Sequence, residues 1–185
     1  MPDWSIVYSG LRRADLAVPE TTHPQPVSGG DISAAWCLTT SSGPVFVKTG
    51  PASSVDMFSA EAAGLTELAA PSAIRVPDVL AFGVEGETAF VAIEWLSFCT
   101  PAWHTQRRLG EQLAKLHQTT ADRFGWHRDN TIGLTPQHND WTDEWVAFFR
   151  DHRLDFQFRL AAENGYTGQL QEQGARLLKR LPLFF

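Results

Sequence analysis

Residues Pro44 to Ala70 read PVFVKTGPASSVDMFSAEAAGLTELAA, and the period of the apolar residues changes midway. PVFVK is a short β-rich run. Before it stand ISAAWCLTT (Ile32 to Thr40), in which Trp36 and Leu38 alternate, and the Ser41–Ser42–Gly43 turn. Two such runs across a glycine-containing turn predict a β-hairpin. From Val55 onward, Phe58, Ala62, Leu65, Leu68 and Ala69 recur at helical spacing. That pattern predicts an amphipathic helix, which Pro71 ends.

Downstream, IRVPDVLAFGV and TAFVAIEWL predict two further strands, around Val79 to Gly83 and Ala89 to Glu94, with Gly86 in the turn between them. Upstream, the first thirty residues read as irregular, with Pro19, Pro24 and Pro26 ahead of Gly29 and Gly30. The expected fold class is therefore α+β: a small antiparallel sheet with one helix. After Leu96 the character turns helical. QRRLGEQLAKLHQ carries Leu109, Leu113 and Leu116 on one stripe. GWHRDNTIGLTPQHND reads as a loop, and WTDEWVAFFRDHRL starts a helix with Thr142 as N-cap and Asp143 and Glu144 at the positive end of its dipole. FQFRLAAENGY and LQEQGARLLKRL are further helical segments. The lobe boundary is expected near Ser97 to Pro101, giving a sheet lobe over 1–97 and a helical one over 98–185.

Composition narrows the function classes. Hydrophobic residues make up 43% and charged residues 19% of the chain, which describes a globular protein and not a disordered one. A formal charge of −6 argues against a sequence-independent grip on nucleic acid, which needs Lys and Arg on phosphates. No stretch is long and apolar enough to span a bilayer, so no membrane partner is expected. The N-terminus lacks a basic region followed by an apolar core, so no secretion signal is read. Cys37 and Cys99 are two thiols among scattered histidines, too few for a disulfide framework or a metal site. They are expected to be buried or half-buried free thiols in a reducing cytoplasm. The sequence sets no oligomeric state.

Three features carry chemistry. Gly29, Gly30, Asp31, Ile32 and Ser33 sit at the turn into the first strand, Lys48 ends the second strand of the hairpin, and Glu61 lies on the helix thirteen residues further on. Glycines let backbone N–H groups approach phosphate oxygens. A strand lysine can reach the α- and β-phosphates, and a helix glutamate can hold its ammonium in place. This is the nucleotide-binding arrangement of a protein-kinase-like lobe. Backbone groups around Glu94, Trp95 and Leu96 then fall where adenine would bind.

The letters His127-Arg128-Asp129 are not a kinase catalytic loop. Asn130 follows Asp129 directly, and no later aspartate stands in a metal-binding setting of the D-F-G kind. The stretch DNTIG reads as a turn, with Gly133 allowing a positive φ.

The chain resembles the fructosamine kinases, also called ketosamine kinases, over nearly its whole length. GGDIS, VFVKTG, MFSAEAAGLTELA, IRVPDVLAFG, LGEQLAKLHQ and FGWHRDNTIGLTPQHNDWTDEWVAFFRDHRLDFQFRLA carry the resemblance. The family signature F-G-x-x-x-D-N-x-I-G stands here as Phe124, Gly125, Asp129, Asn130, Ile132 and Gly133. The resemblance implies an aminoglycoside-phosphotransferase-type fold and phosphorylation of the sugar 3-hydroxyl of a ketoamine, free or protein-bound, with ATP and Mg²⁺. The phosphorylated adduct falls apart, so the family is regarded as a deglycating repair system. It also implies that Gly29 and Gly30 belong to the phosphate loop, that Lys48 and Glu61 form the ATP-binding pair, and that Glu94 to Leu96 form the hinge.

The family's H-G-D-L-W-x-G-N loop and later D-P-A, which supply the base and metal ligands, do not occur in the 185 residues. The resemblance therefore places no catalytic residue and no metal ligand within the chain. The helical lobe is expected to be incomplete, the chain a truncated one, and its turnover alone nearly nil, since phosphoryl transfer needs both parts. Two other readings remain open: a related kinase for a sugar, choline or an aminoglycoside, and a nucleotide-binding module without catalysis.

Overall fold

The computed structural model describes residues 2–19, 21–29 and 32–185. Gly30 and Asp31, both expected in the phosphate loop, lie outside the described residues. As compact bodies the chain divides into Met1–Thr119 and Thr120–Phe185.

The first unit is built on a five-stranded antiparallel sheet in the order β1-β2-β3-β5-β4, with β1 Gln25–Val27, β2 Ala34–Thr40, β3 Gly43–Pro51, β4 Val79–Glu85 and β5 Thr88–Glu94. Both hairpins read from the sequence are present. Thr40 pairs with Gly43 in one and Glu85 with Thr88 in the other. Gly43 and Gly86 take φ of 120° and 54° at these turns, which favours glycine there.

Alternation along β3 sorts its side chains between two layers. Val45, Val47 and Thr49 are buried on one face, whereas Phe46 and Lys48 lie on the other. The first face is covered by helix α1, Trp4–Arg13, whose Ile6, Val7 and Leu11 pack with Leu38, Val45, Val47, Phe90 and Ala92. The second is covered by helix α2, Val55–Ala69, whose Phe58 and Ala62 pack with Ala89 and Val91. Strand β5 lies between β3 and β4 and under both helices, so Thr88 to Ala92 are buried without a break.

The first thirty residues are not irregular as expected. Asp3 caps α1 by accepting the Ser5 N–H at 3.0 Å, and the Trp4, Val7, Tyr8 and Leu11 stripe turns toward the sheet. Gly10 sits mid-helix because a Cβ there would stand 2.4 Å from the Phe90 ring. A glycine weakens a short helix locally, and packing on the sheet offsets that loss. Strand β1 holds Pro26, which is tolerated because β1 is an edge strand with one neighbour. In α2, Leu68 belongs to the expected stripe but is 46% exposed.

Helix α3, Thr105–Leu116, forms as expected, yet none of its residues is buried and Leu109 and Leu113 are exposed. Among the described residues, no helix is long and apolar enough to cross a membrane. Cys37 is half-buried, and burial pushes its thiol pKa up. Cys99 is exposed, against expectation, because it follows β5 in a segment without regular structure.

The second unit begins with a small hairpin where a loop was expected: β6, Asn130–Ile132, pairs with β7, Thr135–Gln137, around Gly133 at φ 63°. Thr142 is not a helix cap. Its backbone N–H and C=O both pair with Phe124, so the helix starts later, at Trp145. Helix α4, Trp145–Phe149, continues through a π-helical turn, Arg150–Asp155, into α5, Phe156–Glu163. Helix α6, Gln169–Arg180, packs its Gly174 against the Phe158 ring, where a Cβ would stand 2.8 Å away.

Candidate functional site

Val27, Ala35, Lys48, Val91 and Phe82 form one row across the five strands, since each is registered opposite the next. Two residues along, Gln25, Cys37, Phe46, Ile93 and Val79 form a parallel row on the same face. Lys48 thus stands on the central strand, on the α2 side. Its Nζ lies 2.6 Å from Glu61 Oε1, and both side chains are about a third exposed (32% and 27%). Helix α2 aims Glu61 at the sheet because Phe58, one turn earlier, and the adjacent Ala60 and Ala62 are buried. A partly solvated pair of this kind contributes on the order of 1 kcal/mol or less to stability. Its evident effect is to fix where the ammonium stands.

The glycine turn leads into the Ala34–Thr40 strand, and a further strand that the sequence did not show precedes it. It joins β1 to β2, after Val27 and before Ala34, and does not merely precede a first strand. Its described residues include Gly29, at φ 114°, and Ile32, 47% exposed. Because Val27 and Ala35 lie in the same row as Lys48, the turn leaves the sheet beside the lysine strand. The sequence missed β1 because Pro26 within it and Pro24 just before it mask the strand pattern.

At the end of β5, Glu94 is more occupied than its sequence position indicates. Its backbone N–H donates to the Asp78 carbonyl at 2.8 Å. Its carboxylate pairs with the Arg75 guanidinium and accepts the Asp78 N–H at 3.3 Å. Trp95 packs against Phe46 with ring centroids 6.3 Å apart. The Glu94 N–H and carboxylate are thus engaged within the protein, and Phe46 lies on the same sheet face as Lys48.

In the second unit, Asp129 organises a hairpin. Its Oδ1 accepts the Asn139 N–H and its Oδ2 meets His138 Nδ1, each at 2.8 Å. The His138 bond first, and the Asn139 N–H second, hold its carboxyl below the usual range. Gly125 takes φ 146°, and a Cβ there would stand 2.7 Å from the Asn139 carbonyl oxygen, so only glycine lets these two segments meet. Among the described residues, no three His, Cys, Asp or Glu side chains gather as a metal site.

A five-stranded antiparallel sheet whose central lysine is held by a helix glutamate, beside a glycine turn, defines a protein-kinase-like fold. The fructosamine kinase family model matches residues 4–185, and the chain belongs to that family. It is 44% identical over 136 residues to a probable ketoamine kinase of Synechocystis, covering 73% of this chain and 46% of that one. It is 36% identical over 163 residues to a chloroplastic protein-ribulosamine 3-kinase of indica rice, covering 85% and 47%. A crystal structure from Haemophilus somnus 129PT, carrying a provisional fructosamine-3-kinase name, superposes with a TM-score of 0.86 at 26% identity, over 97% of this chain and 61% of that one. The chain thus spans about half the length of these curated relatives.

Proposed function

We propose that the chain serves an ATP-dependent ketoamine kinase that phosphorylates the sugar 3-hydroxyl of glycation adducts, so that the amine is recovered. Residues 1–97 are the nucleotide lobe and 98–185 contribute to the helical lobe. Within the first, Lys48 holds the α- and β-phosphates, Glu61 steadies Lys48, the turn that carries Gly29 and Ile32 faces phosphate, and backbone groups of Glu94, Trp95 and Leu96 meet the base. The observation that carries this reading is the 2.6 Å contact between Lys48 and Glu61, made across sheet and helix in the row that adjoins the glycine turn. The ketoamine and ribulosamine names of the relatives favour a ketoamine over choline or an aminoglycoside as acceptor.

The donor set here suits ATP phosphates. It does not suit Mg²⁺, which takes carboxylate and phosphate oxygens in octahedral array; no step is assigned to the metal. Neither a base nor a metal ligand is assigned to the described residues, so the 185-residue chain is expected to bind nucleotide without ordinary kinase turnover. The two free thiols suit a reducing cytoplasm.

Calorimetric titration of the chain with ATP tests the assignment. Lys48→Ala is expected to weaken binding about tenfold or more, as loss of a charge-assisted phosphate contact should. Unchanged affinity would remove Lys48 from the site.

A further inference from the structure

The second unit contains a cleft of about 410 Å³, within the roughly 300–1,000 Å³ typical of small-molecule sites. One wall is aromatic: Trp126, Trp145 and the buried Phe148. The lining also includes three carboxamides, of Asn130, Gln137 and Asn139. Asn130 Oδ1 accepts from Gln137 Nε2 at 3.0 Å and from Asn139 Nδ2 at 2.9 Å. Asn139 is 3% exposed, and its second amide hydrogen goes to the Arg128 carbonyl at 3.0 Å. Its Oδ1 accepts from Arg153 Nη2 at 2.5 Å. Every group of Asn139 is thus spent on holding the array rigid. Among the described residues, those bonds leave over the Nδ2 of Asn130 and the Oε1 of Gln137, a donor and an acceptor on residues paired across the hairpin.

Charge decides the ligand class. Two guanidinium groups line the cleft, yet both are engaged inside the protein. Arg123 pairs with Asp143 at 2.6 Å and donates to the Trp141 carbonyl at 3.0 Å. Arg153 donates to the carbonyls of His138 and His152 at 2.6 and 3.0 Å and lies 4.5 Å over the Phe148 ring. The π-helical turn that carries Arg153 is what aims it at the hairpin. A phosphate or carboxylate would compete with these partners for the same guanidinium groups. A neutral polyol would not: its hydroxyls both donate and accept, and the slightly positive C–H face of a sugar suits the negative face of an aromatic ring.

We propose that this cleft binds the polyhydroxylated sugar portion of the acceptor, with Trp126 stacking on its carbon face and Asn130 and Gln137 holding adjacent hydroxyls. That the sugar belongs to a ketoamine rests on the function proposed above, whereas the polyol site rests on the cleft.

The test titrates the whole 185-residue chain with fructosyl-lysine, with lysine, with fructose and with inorganic phosphate, read by calorimetry and tryptophan fluorescence. Fructosyl-lysine is expected to bind and lysine not to, with fructose competing and phosphate failing to compete. Gln137→Leu and Trp126→Leu are each expected to weaken the adduct about tenfold or more. Circular dichroism and ATP affinity should stay unchanged in both variants. Failure of fructosyl-lysine to bind at low-millimolar concentration, competition by phosphate, or wild-type affinity in both folded variants overturns the proposal. ATP binding without adduct binding sinks the cleft alone, and adduct binding without ATP binding sinks the nucleotide assignment alone.

Discussion

Lys48 and Glu61 meet at 2.6 Å although they come from different layers, one from the centre of a sheet and the other from the helix that covers it. The contact holds only while α2 keeps Phe58 and Ala62 seated on Ala89 and Val91. Glu61→Gln keeps the shape and removes the charge. It is expected to weaken ATP binding severalfold while lowering the stability of the chain by about 1 kcal/mol or less, because the pair is partly solvated. Calorimetry and urea denaturation on the same variant separate the two effects. A large stability loss with intact ATP affinity would make the pair structural only.

Phe58 anchors that geometry, being 1% exposed at the centre of the α2 face. Phe58→Ala should destabilise the protein by about 3–5 kcal/mol, the range for deleting a buried ring. The urea midpoint measures it, and a change below about 1 kcal/mol would show that α2 is not seated by this residue.

The opposite face offers a test by addition. Gly10→Ala places a methyl group 2.4 Å from the Phe90 ring. Alanine favours helix by about 1 kcal/mol over glycine, but overpacking costs about 1–3 kcal/mol. Net destabilisation is expected, measured by thermal unfolding. A rise in the melting temperature would mean that α1 stands off the sheet.

Asp129 predicts an acid-sensitive element. Its carboxyl is held below the ordinary value by His138 and the Asn139 N–H. A lowered folded-state pKa contributes stability that is fully present above the unfolded value, about 3.9, and is lost as pH falls through the folded one. Hydrogen exchange at the Asn139 amide should therefore gain protection from acid to pH 5 in the parent. Asp129→Asn should flatten that rise, and an unaltered profile would count against the Asp129 contact.

Gly125→Ala tests the joint that supports the cleft. A Cβ at φ 146° would meet the Asn139 carbonyl at 2.7 Å and the Asp140 carbonyl at 3.0 Å. Left-handed strain alone costs on the order of 1–3 kcal/mol. Loss of protection at the Trp126 amide, which donates to the Asn139 carbonyl at 2.9 Å, is the expected reading. A protein as stable as the parent would contradict the close approach.

The sequence by itself determined the elements that face one another. Alternation in Val45 to Lys48 and helical spacing from Phe58 to Ala62 put a cation and a carboxylate on neighbouring elements, because strand and helix periods are local properties of the chain. It did not disclose α1 or β1. A short helix interrupted by Gly10 and a strand holding Pro26 have weak local signals, and they exist because the sheet supplies a buried face for one and an edge for the other. In the second unit, Asp129 and Asn130 read as turn formers, yet Asn130 opens strand β6 and the turn itself falls at Gly133. That Arg153, fourteen residues beyond Asn139, returns to bind its amide oxygen depends on a π-helical turn, which no apolar period encodes. The carboxamides of Asn130 and Gln137 meet because the hairpin registers them opposite one another, whereas only the tertiary structure decided that Arg153 closes on Asn139, since neither strand nor helix period links them.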